Sequence, residues 1–168
     1  IVAMSEAMTD ASTADSVLIQ GAGGFLGYGS IYPVFTSSRS TFEDLSSTGN
    51  LKVLRNTALR ERIVKHYARH DQVEKRIRIA VDWALPLDAP FTVDNDAMKF
   101  EPHTAFLYPA EATAAHAEEL RNRRMSYISN GAAHWWINTD AIDLLNGLKD
   151  ETAALVNELE HELGERAK

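Results

Sequence analysis

Two histidines one helical turn apart, His66 and His70, are the pair in this sequence best spaced to do chemistry. On a helix the i,i+4 spacing puts both imidazoles on one face, where they can share a divalent metal such as zinc. Asp71 and Glu74 follow within a turn, and a third ligand would come from elsewhere: His103, His116 or His134. The candidate metal set is therefore His66, His70 and Glu74. The same residues have a plainer use. His70 and Glu74 fall on a line of apolar residues, where an imidazole and a carboxylate can satisfy each other. A buried, hydrogen-bonded pair is the expectation, with Thr152 as a further partner.

The stretch "SVLIQGAGGFLGYGS", Ser16 to Ser30, reads as a short β-strand running into a glycine turn. Gly21, Gly24 and Gly27 are spaced three apart. That spacing resembles the nucleotide-binding turn of extended short-chain dehydrogenases and sugar epimerases, and the resemblance implies a nucleotide cofactor. The rest of that fingerprint is missing. Such a turn opens a helix and is followed by an acidic residue at a second strand end. Here Gly29 and Pro33 oppose the helix, and Glu43 belongs to a capping box. None of the five tyrosines has a lysine four residues later. The expectation is that these glycines let the chain turn tightly or let another helix approach, with no cofactor.

Three further groups carry chemistry in principle. His134, Trp135 and Trp136 could wall a ligand pocket or form a contact patch; core packing under a helix connection is the expectation. Arg121, Arg123 and Arg124 could hold an anion, but beside Glu118 and Glu119 they read as a paired, solvated face. Asp94 and Asp96 resemble the start of a calcium loop, without its turn glycine or its closing glutamate at the right spacing. No serine sits in a recognisable nucleophile turn.

The elements that must position these residues are helices. Val2, Met4, Met8 and Ala11 suggest a short helix. Ser40 and Glu43 form a capping box for a helix over Thr41–Ser47, and Gly49 suits the left-handed residue that ends it. Asn56 or Thr57 caps a long helix, Ala58–Ala84, stopped by Pro86. Its stripe is Leu59, Ile63, Tyr67, His70, Glu74, Ile77, Val81 and Ala84. Leu87–Pro109, rich in proline and aromatics, reads as irregular. A further helix spans Ala110–Ser129. Gly131 ends or bends it, and Asn138 or Thr139 caps the last one, Thr139–Glu165. Together these predict an all-α fold, an antiparallel helical bundle with an irregular aromatic and proline-rich segment, in a single domain over residues 1–168.

The 168 residues are 45% hydrophobic and 24% charged, ordinary for a globular chain with a real core. A net charge of −7 argues against nucleic-acid binding, which needs a concentrated basic stripe. There is no cysteine, hence no disulfide and no thiolate chemistry. No run of about 18 apolar residues is present to span a membrane.

The stretch from Tyr32 to Ala68 carries an aromatic-proline patch, then Thr41, Phe42 and Leu45, then Ser47, Gly49 and Leu51, then a helix with Leu59, Arg60 and Tyr67. This pattern, with "LLNGLKDETAALVNELEHEL" near the end, resembles a family of uncharacterised bacterial proteins. Those have one N-terminal membrane helix and a helical extracytoplasmic domain. The resemblance covers about a third of the chain. It implies a membrane anchor before Ile1 and a periplasmic soluble domain, and it implies no activity. The segments "QGAGGFLGYG" and Leu87–Pro109 depart from it. The expected function is thus a non-enzymatic domain for sensing or protein contact, binding a protein or a small ligand, with homo-oligomerisation open. The alternatives are a nucleotide-binding enzyme using the Gly21–Gly27 turn and a metal-binding helical protein.

Overall fold

The structure, a computed structural model, describes residues 1–28, 32–94, 98–101, 106–109 and 114–166. It is an all-α fold of packed helices: α1 (Val2–Thr9), α2 (Asp15–Tyr28), α3 (Ser40–Ser47), α4 (Thr57–Asp94), α5 (Ala114–Asn122) and α6 (Arg124–Arg166). A 3-10 turn, Asn50–Val53, joins α3 to α4. Two short strands, β1 (Met98–Glu101) and β2 (Phe106–Pro109), pair antiparallel with Met98 opposite Pro109. The chain expected as a single domain divides into two compact units. One comprises Ile1–Pro33 and Ala80–Thr139, the other Val34–Ile79 and Asp140–Lys168.

Three boundaries differ from the sequence reading. Ser16–Ser30 gives no strand: Asp15–Tyr28 is helix α2. Leu18, Ala22 and Phe25, at i, i+4 and i+7, are all buried, and that apolar stripe outweighs the helix-weakening glycines. Pro86 does not stop α4, which runs on to Asp94 and makes the first part of Leu87–Pro109 helical. Pro86 is exposed, so the carbonyl its ring leaves unpaired one turn earlier can meet water. At Gly131 the helix continues, the second of the two alternatives there, and neither Asn138 nor Thr139 starts a new one. The Asn138 amide donates back to the His134 carbonyl at 2.9 Å inside the continuous α6. The break comes earlier, at Arg123, between α5 and α6.

Other local signals hold. The Asn56 side chain accepts from the Leu59 amide at 3.1 Å and caps α4. Gly49 takes φ 71°, left-handed, before the 3-10 turn. The Ser40–Glu43 capping box is not made: Ser40 is already helical and Arg39 holds the cap position without a side-chain bond.

In the first unit, Met4, Met8, Leu18, Phe25, Leu120 and Tyr127 form one buried cluster. A Cβ on Gly21 would lie 3.5 Å from the Met4 Cα and 3.6 Å from the Ala7 Cβ, so α1 packs closely at that glycine. Arg121 donates to the Thr13 carbonyl at 3.0 Å and to Asp15 at 2.6 Å, tying α5 to the start of α2. In the second unit, α4 and α6 run antiparallel, with Arg62 paired to Glu158 and Arg76 bidentate to Asp140. Leu59, Ile63 and Leu155 are the buried centre, packed by Phe42, Leu51, Leu54, Tyr67 and Leu159.

Candidate functional site

In the second unit, α4 supplies Ile63, His66, Tyr67, His70 and Glu74 from successive turns of its stripe. The half-extended stretch before α3 crosses them. Ser37 on that stretch lies 3.1 Å from His70 Nδ1 through its hydroxyl, and its backbone amide donates to Glu74 at 3.3 Å. His70 Nε2 is 3.0 Å from His66 Nε2. His66 Nε2 is also 3.3 Å from the Thr152 hydroxyl of α6, and that hydroxyl donates its proton to the Leu148 carbonyl at 2.7 Å.

One assignment of protons satisfies all four contacts. With the Thr152 proton spent on Leu148, its oxygen can only accept, so His66 carries hydrogen on Nε2. That N–H is shared between Thr152 and His70. His70 then carries its own hydrogen on Nδ1 and donates to Ser37. Burial holds the pKa of both imidazoles below the ordinary histidine value; for His70 the neighbouring His66 and Arg39 push the same way, and Asp71 and Glu151 push against them. The pair is neutral, and His66 Nδ1 is a buried acceptor without a partner.

His70 and Glu74 are therefore not the directly bonded, fully buried pair of the sequence reading. Both are half-buried, both bind Ser37, and Thr152 meets His66 rather than either of them. The fully buried residue on this turn of α4 is Val73. His66 and His70 do come together as the spacing predicts. No group of three or more ligand-type side chains is placed to hold a metal among the described residues. His134 lies in the first unit and His116 on α5; His103 and Asp96 lie outside the described residues.

Beside the histidines opens a cavity of about 420 Å³ between α3, the 3-10 turn, α4 and α6. Its walls are aliphatic and aromatic: Leu45, Leu54, Ile63, Val156 and Leu159, with Phe42 stacked on Tyr67 at 4.2 Å and an interplanar angle of 11°. His66 and Thr152 supply polar atoms to its lining. A second groove, which shares only His66 and Leu155 with the first, takes the charges: Arg62, Lys65, Arg69 and Glu151.

The glycines sit differently from a nucleotide turn. Gly21, Gly24 and Gly27 all lie within α2, with helix α1 before it where the fingerprint needs a strand. Gly21 serves helix packing, and a Cβ on Gly24 would meet nothing within 4 Å.

One polar cluster was missed by the sequence reading. In the first unit, the Asp88 carboxylate accepts from His134 Nε2 at 2.8 and 3.0 Å, from Asn130 at 3.0 Å and from the Tyr32 hydroxyl. His134 is 1% exposed. Trp135 and Trp136, expected in the core beside it, are each 52% exposed, and Trp136 meets Trp83 edge-on at 5.9 Å. The signal that finds Asp88 is its four-residue step from Ala84, visible once α4 is carried past Pro86. Of the arginine trio, Arg123 pairs with Glu119 at 3.1 Å as an exposed i,i+4 pair.

No family model, curated protein or solved structure matches this chain. Among the described residues no helix is long and apolar enough to cross a membrane.

Proposed function

We propose that the chain is a non-enzymatic helical binding domain that senses a small apolar ligand held in the second unit. The observation that carries this reading is the cavity between α3, α4 and α6. Its volume falls in the range of ordinary ligand pockets, and a few polar side chains, Thr41, Asn50, His66 and Thr152, punctuate a largely apolar wall. The resemblance of Tyr32–Ala68 to membrane-anchored bacterial proteins supports an extracytoplasmic setting for that role.

Ligand-observed NMR with a library of small apolar compounds tests it. Binders should appear with the unaltered chain and disappear with Val156→Trp, which fills the cavity, while circular dichroism stays helical. A library with no binder, or binders indifferent to Val156→Trp, would replace the reading. Elemental analysis of the purified chain addresses the metal alternative. Stoichiometric zinc, lost on changing His66 and His70 to alanine, would put metal binding in its place.

A further inference from the structure

The second-unit cavity differs from its neighbourhood in one respect that bears on what can enter it. A quarter of the chain is charged, 24% by composition, yet none of the fourteen residues lining the cavity is Asp, Glu, Lys or Arg. The charges of α4 at this level, Arg62, Lys65 and Arg69, line the separate groove instead. The one titratable group among the polar lining atoms that would charge near neutrality is His66. Its Nε2–H is committed to Thr152 and His70, and burial disfavours its cation. The space is open to solvent along Leu45, Val53 and Val156, and an ion seated against its apolar wall would give up part of its water without meeting a counter-charge there. An uncharged molecule loses little.

The wall also has a shape preference. Phe42 and Tyr67 stack face to face and present a broad aromatic slab, with aliphatic side chains around it. Aromatic rings gain edge-to-face and offset-stacked contacts there beyond simple area burial. A dry cavity of about 150 Å³ holds one benzene. The space here is larger, about 420 Å³, enough for a ring carrying an alkyl chain.

We propose that this cavity selects uncharged ring-bearing amphiphiles, of the alkylphenol class, and excludes anions and cations of the same shape. This rests on the reading of the cavity as a ligand site. Isothermal titration of the full chain at pH 7.5 with three probes of one size tests it: 4-pentylphenol, 4-pentylbenzoate and 4-pentylbenzylamine. The phenol is neutral at that pH, the benzoate an anion and the benzylamine a cation. The phenol should bind at least tenfold tighter than either ion, and Val156→Trp should abolish its binding. A preference below tenfold over either ion overturns the selectivity while leaving the ligand site standing. Tight binding of the benzoate alone would move the site to the groove of Arg62, Lys65 and Arg69. Failure of all three probes to bind overturns the alkylphenol class, and the ligand-site reading falls with it only if the apolar library also yields no binder.

Discussion

In the first unit a half-buried carboxylate gathers three donors around the fully buried His134; in the second a pair of neutral imidazoles passes hydrogen bonds from Thr152 through to Ser37. Asp88 is held by His134, Asn130 and Tyr32, and the His134 ring meets Phe25 in a T-shaped contact and Tyr32 in a tilted one. His66 and His70 are half-buried beside open space. The contrast separates two uses of histidine in one chain. Where a carboxylate is gathered in by several donors, the cluster specifies packing. Where the polar groups that line a cavity carry no charge, that neutrality bears on which ligands can enter.

The strongest way to break the comparison is at Asp88. Asp88→Ala leaves His134, Asn130 and Tyr32 without their common acceptor in the interior. The expected loss is about 1–3 kcal/mol by urea denaturation, the cost of leaving buried donors unsatisfied. A loss below 1 kcal/mol would show that the cluster does not organise this unit.

His70→Leu in the second unit should cost less, about 0.5–1.5 kcal/mol, the worth of an ordinary hydrogen bond. Adding Glu74→Leu should give no recovery, because Glu74 accepts from the Ser37 backbone and not from His70. Recovery in the double variant would instead mean that the two side chains act as one buried unit.

Acid should act on the second unit through the imidazole pair. Both pKa values are lowered by folding, so the unfolded chain binds more protons as pH falls through about 6.5. The contribution of the pair to stability is therefore complete above that pH. It declines as pH drops from there toward the lowered folded values. Denaturation midpoints of the chain and of a His66→Phe, His70→Phe variant, measured from pH 8 to 5, check this. The variant should show a flatter slope below pH 6.5, and an unchanged slope would exclude the pair as its source.

The smallest effect belongs to Tyr127. It is fully buried, its hydroxyl lacks a hydrogen-bond partner, and burial pushes its pKa up to about 12. Tyr127→Phe keeps the ring contacts with Phe25 and Phe91 and removes only that hydroxyl. Stability should change by less than about 1 kcal/mol in either direction. A loss beyond 2 kcal/mol would reveal a hydrogen bond that the hydroxyl makes.

The helical stripes were legible because burial follows their period: Leu59, Ile63, Ile77 and Ala84 on α4, and Leu148 and Leu155 on α6, are all buried. So was the i,i+4 meeting of His66 and His70. What misled were residues whose local preference tertiary packing overrides. The glycines of α2 and Pro86 of α4 each cost helix stability, yet the buried faces around them keep the helix intact. The cavity was not legible at all. It depends on which turns of α3, the 3-10 turn, α4 and α6 come to face one another. The stretch 34–39 carries Ser37 between His70 and Glu74, and nothing in its composition announces that crossing.

The division of the chain into units has a consequence for how it is made. Neither unit is a continuous stretch: each closes only when a late segment joins an early one, Ile1–Pro33 with Ala80–Thr139 and Val34–Ile79 with Asp140–Lys168. A nascent chain that has emerged as far as Ile79 holds neither unit complete. The first can close once Thr139 has emerged, while Val34–Ile79 waits with Leu59 and Ile63 uncovered until Leu155 arrives. Contacts between such distant segments slow folding and prolong exposure of apolar surface. Release of a nascent chain at residue 139 would thus yield a closed first unit with an unpaired, aggregation-prone Val34–Ile79 inserted between its two segments.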